Sequence, residues 1–279
     1  MAKKILVPTD LSTNSKAGIR FALHIAEQSK DPLVFYHCIS LLKPSRWSEA
    51  KYDDYVKKEL ETARKNLVKM IEDIYQKSGL KKKKFECVVQ HSTDVRKAMI
   101  GYAMEIDAKA ICMSTRGAGR LKKLIGTNAS KIIANAPLPV FVIPANHRST
   151  SIRHILYCSD LNHVGAELKK VRNVARQFKA KISVYHYDYM ADLKEARKKY
   201  EKVTARFQYP NVKFYFQKYN LEKPLAYHLL KDMRKSKASL AVLFTDQKRG
   251  WFDKIFLSSK TAEVTYESKI PLLVFPKSN

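Results

Sequence analysis

Three glycines and a helix-capping threonine between positions 113 and 128, MSTRGAGRLKKLIGTN, form the stretch of this 279-residue chain best suited to chemistry. Gly117 and Gly119 follow an apolar run that ends at Met113, and Gly126 stands directly before Thr127. Glycine admits positive φ and lets backbone N–H groups come close to a ligand. Thr127 can cap a new helix, whose first N–H groups and dipole attract an anion. Strand, glycine loop and helix start together would cradle a phosphate. Glycines alone are more often the mark of a surface βα turn, so the surroundings must decide between the two.

Few other residues compete for a chemical role. GxxxxGK[ST] is absent, and PTDLSTNS occupies the place where an ATP pyrophosphatase would carry an SGGxDS-like loop. No GxSxG elbow surrounds Ser114, and neither HExxH nor a Cys/His metal pattern occurs. His37 and His186 fall mid-strand at matching positions, which suits a shared packing and hydrogen-bonding role. His91, at the end of a strand, is the one histidine placed near a prospective cleft. No nucleophile and base are brought together, so an enzyme is not expected beyond slow ATP hydrolysis. No catalytic or metal-ligating residue is assigned.

The elements that must position the glycine stretch are legible from periodicity. KILVPT at 4–9 reads as a strand with Asp10 at its end, and Ser12, Thr13 or Asn14 can cap a helix running to about Ser29. LVFYHCI at 33–39 is a buried strand, and 48–77 is a long polar helix with one apolar stripe. Strands follow at 85–89, 108–113 and 138–143, with helices at 94–106 and 127–135. Continuous apolar strands alternating with amphipathic helices imply a parallel sheet covered on both faces.

The pattern then restarts. ILYCSD at 155–160 restates ILVPTD at 5–10, and SVYHY at 183–187 restates VFYHC at 34–38. ASLAVLF at 238–244 restates AKAICMS at 108–114, and IPLLVFP at 270–276 restates LPVFVIP at 138–144. The spacing between matched positions falls from 150 at Asp10 and Asp160 to 132 at Pro144 and Pro276. A duplicated domain with a trimmed second copy follows. The expected division is 1–146 and 151–279, with a short polar linker between them.

Composition sets outer bounds. The hydrophobic fraction is 45% and the charged fraction 28%, as in soluble globular proteins. No apolar run reaches the ~18 residues of a membrane span, and MAKKILVPTD has no signal-peptide pattern. Four cysteines without CxxC spacing read as small buried hydrophobes in a reducing compartment, so a cytoplasmic location is expected. The net charge of +27 favours polyanions, yet no basic run is interleaved with aromatics and no nucleic-acid motif appears. Nucleic acid is therefore not the expected partner.

Together, ILVPTDLS, VFYHC, MSTRGAGRLKKLIGTNASKII and PLPVFVIP resemble the universal stress protein (UspA-like) superfamily, in its tandem two-domain form. The resemblance covers nearly the whole chain, with its elements in the family's order. It implies an α/β fold of two Rossmann-like (adenine nucleotide alpha hydrolase-like) domains, each a five-stranded parallel sheet with helices on both faces. It further implies ATP, with or without Mg²⁺, at the carboxyl ends of the strands. The family's signature G-x2-G-x9-G-[ST] maps onto Ser114, Gly117 and Gly126–Thr127, with serine at the first glycine's place and one residue fewer before Gly126.

By the same resemblance Pro8, Thr9 and Asp10 lie near the nucleoside, Cys38 lines the adenine pocket, and Met113 and Asn128 flank the phosphate loop. Arg116 would neutralise phosphate. Asp10 has a second reading, as a helix N-cap. The second copy keeps Asp160 but carries TDQKRGWFDKIFLSSK at 245–260, where Trp251, Phe252, Ile255 and Phe256 suggest a filled, degenerate pocket. Its expected role is to pair with the first domain, with homo-oligomers within reach through the last strands. The expected function is an ATP-responsive binding module of the stress response. The alternative is a nucleotide-free scaffold that binds a protein or polyanion through its basic surface or dimer edges.

Overall fold

A computed structural model describes residues 3–115, 127–148, 151–188, 193–218, 222–223, 225–245 and 269–276. They divide into two compact units, the first ending at residue 148 and the second starting at 151.

In the first unit β1 (Ile5–Pro8), β2 (Leu33–Ile39), β3 (Glu86–His91), β4 (Ala110–Ser114) and β5 (Val140–Ile143) are joined in turn by helices. These are α1 (Lys16–Ser29), α2 (Glu49–Ser78), α3 (Val95–Glu105) and α4 (Thr127–Asn135). The strands pair in parallel in the order β3-β2-β1-β4-β5. Right-handed crossovers on that order put α1 and α2 on one face and α3 and α4 on the other. In agreement, α1 packs beside α2 and α3 beside α4. β1 and β4 are wholly buried because they are covered on both sides. Ile19, Phe21 and Ile25 of α1, Phe35 of β2, and Leu67 and Ile71 of α2 are fully buried around them. The four-residue steps from Phe21 to Ile25 and from Leu67 to Ile71 are those of helices with one apolar face.

The second unit repeats this with β6 (His154–Cys158), α5 (Val164–Phe178), β7 (Lys181–Asp188), α6 (Leu193–Thr204), β8 (Val212–Lys218), α7 (Leu225–Lys235), β9 (Leu240–Phe244) and β10 (Leu272–Phe275). The parallel order is β10-β9-β6-β7-β8. Each unit is thus a Rossmann-like layer structure. The repeat extends to backbone strain: Leu11, Lys30 and Asp107 lie at positive φ, and so do their counterparts Leu161, Lys179 and Lys237. α6 has 12 residues where α2 has 30, which accounts for most of the trimming.

Two expectations need correction. The N-cap position of α1 is Ser15, not Ser12, Thr13 or Asn14, and its own side chain makes no capping bond. Of the four free cysteines, Cys112 and Cys158 are buried, but Cys38 and Cys87 are half-buried, because β2 and β3 lie toward the sheet edge. Among the described residues, no helix is long and apolar enough to cross a membrane.

Candidate functional site

In the first unit the chain leaves β3-β2-β1 on one side and β4-β5 on the other, so the carboxyl ends of β1 and β4 flank a topological switch point. The end of β1 is a turn shaped by its own side chains. Leu11 N–H donates to Thr9 Oγ1 at 3.0 Å and Ser12 N–H donates to Asp10 Oδ1 at 3.0 Å. These bonds hold Leu11 at φ 60°. Pro8 lies in the ladder opposite Tyr36, Thr9 is buried, and Asp10 is exposed at the tip of the turn. Asp10 therefore closes a turn before the helix rather than capping α1. His37 Nδ1 lies 2.8 Å from Thr9 O. A carbonyl only accepts, so this nitrogen carries the proton, and the histidine fixes the turn from β2.

Ser114 closes the other side. Its Oγ accepts from Gly18 N–H at 2.8 Å and donates to Ser15 O at 3.1 Å. The first N–H groups of a helix lack intrahelical partners, and here β4 supplies one across 96 residues of sequence. Gly18 permits the approach. A Cβ there would stand 2.9 Å from Ser114 N and 3.1 Å from Met113 C, both backbone atoms. Ser15 joins the two sides, since its Oγ donates to Ser12 O (2.8 Å) and lies 2.7 Å from Thr9 Oγ1. The β1 turn, the start of α1 and the end of β4 form one hydrogen-bonded frame. The side chain of Ser114 is spent inside that frame, turned toward α1.

The remaining expected residues divide clearly. Cys38 sits on β2 opposite Gln90, its thiol pushed up by burial, so it is a neutral thiol rather than a thiolate. Met113 is buried on β4 opposite Val142. Pro8, Thr9, Asp10, Met113 and Ser114 come together at the β1 and β4 ends. Thr127 is the first residue of α4 and Asn128 the second. Arg116, Gly117 and Gly126 lie outside the described residues. His91 is not at the switch point: it ends the edge strand β3, where its Nε2 lies 3.1 Å from Leu41 O and 3.3 Å from Tyr52 Oη. Sequence reasoning passed over Ser15 and Gly18. A lone glycine inside an otherwise helical pattern was the available signal for the second.

The second unit has the same frame with a different filling. Ser159 Oγ accepts from Leu161 N–H at 3.1 Å, Asp160 Oδ1 accepts from Asn162 N–H at 2.9 Å, and His186 Nδ1 lies 2.9 Å from Ser159 O. At the places of Gly18 and Ser114, however, stand Glu167 and Phe244, both buried. Phe244 packs edge-on to Tyr157 at 5.7 Å and stacks on Phe275 at 4.9 Å. Tyr157, at the place of Val7, donates its hydroxyl to Glu167, and both are buried. Burial beside that carboxylate drives the Tyr157 phenol far above its ordinary range. Bulky side chains thus stand where the first unit brings bare backbone together. Trp251, Phe252, Ile255 and Phe256 lie outside the described residues.

A family model, the Universal stress protein family (Usp), matches residues 1–144. Among solved structures, the chain is similar to a universal stress protein from Archaeoglobus fulgidus DSM 4304. That TM-score is 0.66 at 17% identity, with 99% of this chain and 97% of the other covered. It is also similar to a functionally unknown protein from Pseudomonas aeruginosa PAO1, with a TM-score of 0.60 at 14% identity and coverages of 99% and 92%. At these identities the likeness is one of fold, and it runs through both units. None of the curated proteins compared with the chain matches it.

Proposed function

Because the chain belongs to the universal stress protein family, as a tandem pair, we propose that its first unit binds an adenine nucleotide, ATP with Mg²⁺, and serves as a regulatory binding module of a cytoplasmic stress response. The observation that carries this reading is the contrast between the two switch points. In the first unit Gly18 lets α1 close against the backbone of β4, and the Ser114 side chain is turned into that contact. In the second, Phe244 and Tyr157 occupy the matching volume. The residues present suit the ligand: an exposed carboxylate at Asp10 for ribose hydroxyls, the neutral thiol of Cys38 and the thioether of Met113 for a base. Gly117, Gly126 and Thr127 would supply backbone N–H groups for phosphates, with the start of α4 as the anion-binding end. Arg116 would add a cation.

In this reading the action is a population shift: nucleotide favours one arrangement of the 114–127 connection and thereby changes a partner surface. The division at 147–150 belongs to the same proposal, with 1–146 as the binding domain and 151–279 as its non-binding partner. Millimolar ATP with Mg²⁺ is expected to raise Tm, and Gly117→Val or Gly126→Val to remove the rise. Absence of any shift in the wild-type protein would overturn the reading.

A further inference from the structure

The two units differ most where the second has its shortened helix. In the first unit α2 lays Leu67, Ile71, Ile74 and Tyr75 against β2 and β3. Beyond the last turn of the shorter α6, an open cavity of about 580 Å³ lies between Glu201 and Thr204 of that helix, Phe207 and Tyr209 of the next turn, and Val212 and Phe214 of β8. Among the described residues β8 is also the terminal strand of its unit's sheet, so alternate N–H and C=O groups along it point away from β7. The charge around it is one-sided. Between residues 194 and 218 eight lysines and arginines face two acids, Glu195 and Glu201, and Glu201 is engaged by Arg197 at 3.2 Å. Lys202, Arg206 and Lys213 are exposed and stand next in sequence to residues that line the cavity.

We propose that this edge and cavity form a docking site for an acidic, extended peptide segment of a partner protein. Its backbone adds alongside β8 and one apolar side chain enters the cavity. Backbone pairing supplies affinity without sequence, the cavity selects the anchor, and the surrounding cations select acidic flanks. The geometry favours peptide over single-stranded nucleic acid. The guanidinium of Arg172 already covers the Tyr209 ring at 3.5 Å, so that face cannot stack a base. The site does not depend on nucleotide binding in the first unit.

The test uses the full chain and a short fluorescein-labelled peptide of Glu and Asp with one central Phe, followed by fluorescence anisotropy. Reversing Lys202→Glu, Arg206→Glu and Lys213→Glu together is expected to weaken binding about tenfold. The matched reversal of Lys57→Glu, Lys58→Glu and Lys65→Glu on α2 is expected to leave it nearly unchanged. Phe207→Ala should weaken binding of the Phe-bearing peptide but not of its Gly-substituted version. Equal losses in the two triple variants would reduce the effect to net charge and overturn the proposal. So would absence of binding at low salt, or displacement of the peptide by an oligothymidine that binds more tightly.

Discussion

Gly18 and Ser114 hold α1 against the end of β4 in the first unit. Gly18→Ala places a methyl group 2.9–3.1 Å from β4 backbone, which cannot move aside as a flexible side chain would. The helix-propensity gain of alanine, under about 1 kcal/mol, is smaller than the roughly 1–3 kcal/mol of overpacking. The variant is therefore expected to lower Tm and to weaken nucleotide binding with it. Ser114→Ala leaves Gly18 N–H buried without its acceptor and is expected to cost about 1–2 kcal/mol in denaturant unfolding. A third prediction concerns acid. His154 is buried with Nδ1 2.9 Å from Ser236 O, so it donates there and accepts at Nε2 from Ser183, 2.8 Å away. Burial pushes its pKa below 6.5, and it pushes that of His24 the same way. The unfolded chain then binds more protons, so stability is lost as pH falls below about 6.5. Tm measured between pH 8 and 5 should decline, and less steeply in His154→Gln. Asp10 and Ser114 were visible as candidates in the sequence. That Ser114 faces α1 was not, since its partner lies 96 positions away.

At the scale of elements, strands and helices were legible because their apolar periods are unmixed. β2 and α4 fall at 33–39 and 127–135, as expected from sequence, and β4 and β9 are continuous apolar runs. The start of α1 was misread for a physical reason. Ser12, Thr13 and Asn14 all have capping side chains, but the acceptor used comes from β4, which no local pattern reveals. Helix ends offer a further test. α1 and α5 terminate at Lys30 and Lys179, each left-handed with its N–H bonded back to the helix, a conformation that penalises a Cβ. Lys179→Gly is expected to stabilise the fold by about 0.5–1 kcal/mol, read as a rise in Tm. A fall would show that its stem packs more firmly than its exposure suggests.

At the scale of the whole molecule, the duplication was legible from the restated strands, and its consequences are asymmetric. The turns at Thr9–Asp10 and Ser159–Asp160, and the histidines that brace them, are kept in both copies. The approach of helix to strand is kept only in the first. Sequence comparison of the two halves sees the lost glycines but not that Phe244 and Tyr157 fill the same volume, because that depends on β6 and β9 being neighbours. The basic balance of +27 is spread along the chain, and the β8 edge is where it coincides with a cavity. The central claim is that one unit binds nucleotide and the other does not. Isothermal titration of ATP with Mg²⁺ into the purified chain tests it directly, alongside Asp10→Ala and Asp160→Ala. One site per chain is expected, lost or much weakened in Asp10→Ala and unchanged in Asp160→Ala. No binding at millimolar ATP, two equivalent sites, or loss only in Asp160→Ala would contradict it.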